Sequence, residues 1–272
     1  MSILLPPFEL GRLNREPITP VGGSAHPVVR GRIHLPVRAG SVDGYVKLLP
    51  RPAFCVESVC AWLARETNLP MPEVYWVEVH RNRMHGLWPF GDDDAQWCFG
   101  TAALPFAQAV RLDGQSAAVL TSMYGLDSLM LAKIALFDEL IGNDDRHDGN
   151  LLLTAHQTIA LIDHERALGG AGRELFSSFP PPGPNRLLER VRALPLRDRA
   201  ALKVPLRSFC TACTAAVLRL PYAQLVSDDA LHEPMRQYLE QRANRLVDTL
   251  DHVLGIPDLP GVNPPGLQPP AL

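Results

Sequence analysis

In the stretch Asn143-Asp144-Asp145-Arg146-His147-Asp148-Gly149-Asn150, a carboxylate at 145 lies five positions before an amide at 150, and a second carboxylate, Asp163, follows thirteen positions later. Those residue types in that order suit phosphoryl transfer, where the protein supplies mainly positioning and charge neutralisation. Asp145 would take the proton of an acceptor hydroxyl, and Asn150 and Asp163 would hold Mg²⁺ against nucleotide phosphates. Asp144 competes for the role of base, and the five-residue step to Asn150 selects Asp145. A lone Asp-Asp-Arg is more often a solvated loop. Here it follows a long apolar helix and precedes two short apolar runs that read as a hairpin, which sets Asp163 beside Asn150 at the base of a cleft. His147 has two readings, ordering the loop through the backbone or stabilising charge on the transferred group. Arg146 also has two, neutralising a phosphate or bracing the loop.

Lys47 lies mid-strand between apolar neighbours, where a lysine usually snorkels at an edge. In a phosphotransferase it would contact the α/β phosphates, steadied by a helix carboxylate. Glu57, ten positions on and early in an apolar helix, is that candidate. Gly22-Gly23-Ser24 precedes the lysine. Such a turn either closes a hairpin or lets backbone amides approach phosphate oxygens. It is not a Walker A loop, since no Gly-Lys-Ser/Thr follows. Cys210-Thr211-Ala212-Cys213 lies within an expected helix with no second cysteine pair, so its thiols read as packed rather than metal-bound. Gly91-Asp92-Asp93-Asp94 lacks the further ligands of a calcium loop and reads as an exposed turn.

The elements that must position these residues divide in two. Residues 17–103 read as strands around one helix: Val28–Val37, Tyr45–Leu49, the helix Phe54–Glu66, Val74–Val79 and Trp97–Leu104, with Ile18–Ala25 as a small-residue turn. From 104 to 256 the pattern turns helical. Leu126–Ile141 ends at Gly142, a hairpin spans 151–162, and helices follow at Asn185–Leu194, Arg197–Leu220 (broken at Pro205) and Asp228–Leu254, the last N-capped by Ser227. The fold class expected is α+β, two lobes with a strand-rich N-lobe (1–103) and a mostly helical C-lobe (104–256), then a Pro-rich tail (257–272).

Bulk properties narrow the partners. Hydrophobic content of 46% and charged content of 20% favour a folded chain. Lys+Arg 26 against Asp+Glu 29 gives net −3, no support for general nucleic-acid binding. No apolar run reads as a membrane span and the first residues make a poor signal peptide. Five cysteines form no disulfide scaffold and fit a reducing cytoplasm. The proline run at 180–184 reads as a surface loop, and the Ser-Ser-Phe-Pro-Pro-Pro segment 177–182 as lining an acceptor pocket.

With these residues in hand, the chain resembles HipA-type serine/threonine kinases, above all the short HipA-like branch. Asn143-x-Asp145-x-His147-x-x-Asn150 resembles that family's catalytic loop, and Leu161-Ile162-Asp163-His164 with Ala167-Leu168 its metal-binding segment. Gly22-Gly23-Ser24 resembles its glycine-serine loop and Tyr45-Val46-Lys47 its lysine strand. Glu57 with Leu63-Ala64 and Leu69-Pro-x-Pro72 resembles its helix and exit, and Phe99-Gly100 the segment entering the interlobe hinge. The likeness covers roughly residues 17–255. It implies a bilobal protein-kinase-like fold, ATP and Mg²⁺ as cofactors, transfer to a protein Ser or Thr, and autophosphorylation at Ser24. Relatives that act as toxins imply an inhibitory antitoxin-like partner. Two departures stand out: Glu165 occupies a position where relatives often carry Gly, and the Lys47–Glu57 gap is short. Asp-Arg-His also resembles phosphoinositide lipid kinases, which leaves a lipid or small-molecule acceptor open. A catalytically silent kinase-like binding protein is the remaining alternative.

Overall fold

Alternating burial in the first hundred residues builds a sheet, and apolar faces at helical spacing build the helices beyond it. The computed structural model describes residues 6–14, 18–84, 86–112, 114–154, 158–169, 185–226, 228–248 and 250–257. Ser227, the proline run at 180–184, the segment 177–182 and the tail beyond 257 lie outside the described residues.

The N-terminal region holds β1 (Glu9–Leu13), β2 (Thr19–Val21), β3 (Val28–Leu35), β4 (Gly40–Lys47), α1 (Arg51–Glu66), β5 (Val74–His80) and β6 (Ala95–Ala102). The strand order is β1-β5-β6-β4-β3-β2. β1 runs parallel to β5 and also pairs antiparallel with β3, through Arg12–His34 and Leu13–Ile33, so five strands close on themselves. The interior is filled by Leu13, Val29, Ile33, Leu35, Val46, Tyr75, Val77 and Cys98. It is tight enough that a Cβ at Gly100 would lie 2.5 Å from Val77 Cγ2. β1 had no counterpart in the sequence reading, and the turn expected over Ile18–Ala25 contains the short strand β2.

α1 begins at Arg51, three residues before the expected start, because Pro52 stands in the first turn, where its missing amide costs no helix bond. Every residue from Ala53 to Ala64 is buried. Glu57 is the sole charged residue of that run, set into an otherwise apolar helix.

The C-terminal region comprises β7 (Gln108–Ala109), α2 (Ala117–Tyr124), α3 (Ser128–Ile141), β8 (Leu151–Leu153), β9 (Ile159–Leu161), α4 (Arg186–Arg192), α5 (Leu196–Arg219), α6 (Tyr222–Leu225), α7 (Asp229–Asp248) and α8 (Leu250–Val253). β7, β8 and β9 form a small antiparallel sheet. α3 is capped by Asp127, whose carboxylate accepts from Met130 N at 2.7 Å, and stops at Gly142 with φ +61. α5 passes through Pro205 unbroken, contrary to the expected break. The carbonyl left without a donor belongs to exposed Ala201, where water can take the bond. α5 is long and apolar enough by length and composition to cross a membrane, whereas no such run stood out in the sequence. Its buried residues pack on α3 and α7. A continuous core joins α1 to the helical region through Val59, Leu63, Phe137, Leu140, Phe209 and Leu239.

Candidate active site

The loop 143–150 is wound around one buried ion pair. Asp138, in the last turn of α3, is fully buried, and Arg146 is 2% exposed. Arg146 donates from Nε to Asp138 Oδ2 (3.1 Å) and from Nη2 to Oδ1 (2.8 Å), the bidentate fork that guanidinium geometry favours. Its Nη1 donates to the carbonyls of Asn150 (3.0 Å) and Ile162 (3.1 Å). Asn143 Nδ2 adds a third bond to Asp138, at 3.0 Å. Arg146 is therefore a brace tying the loop to α3 and to the segment before Asp163, which settles its two readings. Asp138 was not singled out from the sequence, where it stood inside an apolar helical pattern.

Around that brace the remaining loop residues are fixed by backbone contacts. Asn143 Oδ1 accepts from Asp145 N (3.1 Å), and Asn150 Nδ2 donates to the Asp145 carbonyl (2.7 Å). His147 Nδ1 accepts from Gly149 N at 3.0 Å, ordering the loop, while its Nε2 stands 3.9 Å from Asp145 Oδ2. Asp148 Oδ1 accepts from Leu112 N at 2.6 Å, anchoring the loop to the chain ahead of α2. The Asp145 side chain is left 27% exposed. Arg166 Nη1 pairs with its Oδ1 at 3.2 Å, a contact the sequence reading missed.

Lys47 closes β4, and its side chain meets α1 and the segment after β9 together. Its ammonium bonds Glu57 Oε1 and, at 2.9 Å, Asp163 Oδ1; Glu165 Oε2 lies 3.8 Å away. The short gap from Lys47 to Glu57 suffices because α1 begins four residues after the strand ends. Burial alone would lower the Lys47 pKa, but the charges of Glu57 and Asp163 outweigh it and raise it. Burial likewise pushes Glu57 up, and Lys47 together with His164 overcomes that and holds it below the usual carboxylate range. Glu165 goes the other way. Burial, opposed by Lys47 and reinforced by Asp163, Glu57 and Asp145, pushes its carboxyl up to about 7.

Asp163 sits in the left-handed region at φ +63, a conformation Asp tolerates better than most residues. The hydrogen bond from Ile162 N to the Asn150 carbonyl (3.2 Å) holds the two expected metal-binding residues on adjacent strand ends. Glu57, Asp163 and Glu165 each place a carboxylate oxygen within 4.8 Å of the other two. Hard oxygen donors gathered in this way, one of them an orphaned buried oxygen of Glu165, fit a divalent cation such as Mg²⁺.

The other candidate residues frame this centre. Gly22-Gly23-Ser24 joins β2 to β3 and is exposed, with Gly23 at φ +88 and open space around both glycines. The loop leads to Val28, whose Cα partner is Lys47. Phe99, 2% exposed, is paired with Lys47 across β4 and β6 and belongs to the core around α1. Gly100, the next residue, turns to the opposite face against Val77. Both lie within β6, flanked by β4 and β5. Cys210 and Cys213 are buried in α5 with their thiols pushed up, Cys210 to about 11, and they join no metal-ligating group among the described residues. In the acidic turn, Asp92 pairs with Arg81 at 3.2 Å on the surface.

The fold is kinase-like. Residues 45–174, a span that carries Lys47, Glu57, the 143–150 loop and Asp163, match the family model of the HipA-like kinase. The fold is similar to that of a solved structure, the proinflammatory kinase CtkA of Helicobacter pylori. The TM-score is 0.55 and the identity 13%, over 92% of this chain and 98% of that one. No curated protein sequence matches the chain.

Proposed function

We propose that this protein is an ATP- and Mg²⁺-dependent phosphotransferase of the HipA-like serine/threonine type, with nucleotide bound between a strand-rich and a helical lobe. The observation that carries the proposal is the convergence on Lys47 of Glu57 from α1 and Asp163 from the metal segment. A lysine kept charged between a helix carboxylate and a metal-holding aspartate is what a nucleotide phosphate site requires. Lys47 orients the phosphates, and the exposed Gly22-Gly23-Ser24 turn offers backbone amides from above it. Asp163 and Asn150 would hold the divalent cation, which when bound neutralises phosphate charge. Asp145, kept in register by Asn143 and Asn150, accepts the proton of the incoming hydroxyl. His147 serves mainly to order the loop.

We extend the proposal, on the resemblance to HipA-type kinases alone, to a protein Ser or Thr acceptor, autophosphorylation of Ser24 and regulation by an antitoxin-like partner. A cytoplasmic setting agrees with five free cysteines. The test is incubation of the purified protein with radiolabelled ATP and Mg²⁺ against separated protein, lipid and metabolite fractions. Label in protein, with phosphate on Ser24 by mass spectrometry, is the expected result. Label confined to lipid or metabolite would move the acceptor class, and no Mg²⁺-dependent ATP binding by calorimetry would refute the kinase reading.

A further inference from the structure

Glu165 stands out because it is a buried carboxylate without an assignment beside Lys47, which already pairs with two others. Lys47 bonds Glu57 and Asp163, and the far oxygen of Glu57 faces His164 Nδ1 at 3.6 Å. Glu165 is 6% exposed, and its Oε2 has no hydrogen-bond partner. Its nearest cation is the Lys47 ammonium at 3.8 Å, already shared by two other carboxylates. Three carboxyl groups therefore face one ammonium in a largely buried space, an arrangement that a proton on Glu165 or an added cation relieves.

The backbone makes this arrangement. With Asp163 in the left-handed region, the chain turns so that residues 163 and 165 both face Lys47. His164 between them is driven into the core, edge-on to Phe137 with ring centroids 6.0 Å apart. The His164 ring is 1% exposed, with Nδ1 turned to Glu57 Oε2. Asp163, at 34% side-chain exposure, leaves a route from solvent.

We propose that Glu165 is a metal-site carboxylate, and that with Asp163 it binds one divalent cation before any nucleotide arrives. The cation enters past Asp163, takes one oxygen from each carboxylate, and keeps water on its remaining positions. The site is thus charged with metal in the resting protein instead of receiving it with the nucleotide. The inference rests on Asp163 as a metal-holding residue, but its readout needs neither nucleotide nor turnover.

The experiment is titration of the full-length protein with Mn²⁺ alone, followed by calorimetry and by electron paramagnetic resonance of free Mn²⁺. Glu165→Gln keeps shape and removes charge, Glu165→Asp keeps charge, and Asp92→Asn controls for surface acid. The wild type and Asp92→Asn should bind one Mn²⁺ per chain. Glu165→Gln should weaken binding about ten- to a hundredfold, the range seen when groups supporting a metal site are removed, with Glu165→Asp in between. If Glu165→Gln fails to fold, Glu165→Asp and the wild-type stoichiometry still decide. Equal Mn²⁺ affinity in wild type and the Glu165 variants, or no nucleotide-free binding by the wild type, overturns the inference. An active kinase that binds no Mn²⁺ alone would sink this proposal and leave the function standing; inactivity toward every acceptor would do the reverse.

Discussion

Removing the carboxylate of Asp138 tests whether the 143–150 loop is held by the buried brace. In Asp138→Ala, Arg146 loses the acceptors of Nε and Nη2, and Asn143 Nδ2 loses its own, leaving three buried donors orphaned. With the two side chains 0% and 2% exposed, solvent offers no replacement, and breaking such a pair from one side costs about 3–5 kcal/mol. For a chain of this size that lowers the melting temperature on the order of 10 °C. Urea unfolding of wild type, Asp138→Ala, Arg146→Met and the pair Asp138→Ala/Arg146→Met supplies the cycle. The double variant should be more stable than the sum of the singles predicts by about 1–3 kcal/mol, because removing both charges avoids the uncompensated one. It will not be neutral, since the carbonyls of Asn150 and Ile162 also lose their donor. Additive singles, or a cost for Asp138→Ala within about 0.5 kcal/mol as at an ordinary surface site, would refute the brace.

Three further outcomes follow from the same structure. Gly142→Ala should cost more than about 1 kcal/mol by chemical denaturation, since φ is +61 and the new Cβ would collide with the Tyr238 hydroxyl; adding Tyr238→Phe should recover part of the loss. Glu57→Gln should lower stability at neutral pH and flatten its fall in acid. A depressed carboxyl contributes stability above its unfolded pKa and loses it as pH drops through the folded value, so equal acid limbs for both proteins would count against the Lys47–Glu57 pair. At pH 8 the native protein should react slowly with a thiol reagent and fully once unfolded, because all five cysteines are buried and Cys98, for one, is pushed up to about 12; rapid native labelling of Cys210 or Cys213 would revive a redox role.

The centre of the site was readable in the sequence because its spacing is local. Asp145, Asn150 and Asp163 lie on one loop and one hairpin, and Lys47 and Glu57 straddle a single strand-to-helix junction. Arg166 on Asp145 and Glu165 near Lys47 were not readable, since both depend on the left-handed turn at Asp163, which no periodicity signals. Asp138 was hidden by its apolar helix, although a lone carboxylate on a buried face is itself a sign of a buried partner. β1 escaped because its pairing with β5 joins segments more than sixty residues apart, and its five residues, with Gly11 in the middle, carry no clear alternation. Pro205 misled because its cost depends on whether water can reach the unpaired carbonyl, which the sequence does not specify.

Asp145 carries the central claim, and its most direct test compares wild type with Asp145→Asn for phosphate transfer from radiolabelled ATP with Mg²⁺, alongside calorimetric ATP binding. Asp145 is part exposed and its backbone is held by Asn143 and Asn150, so the substitution should leave the fold and nucleotide binding in place. Loss of the base should slow transfer about 10²–10⁴-fold at unchanged ATP affinity. Transfer at the wild-type rate by Asp145→Asn would contradict the assignment of this site.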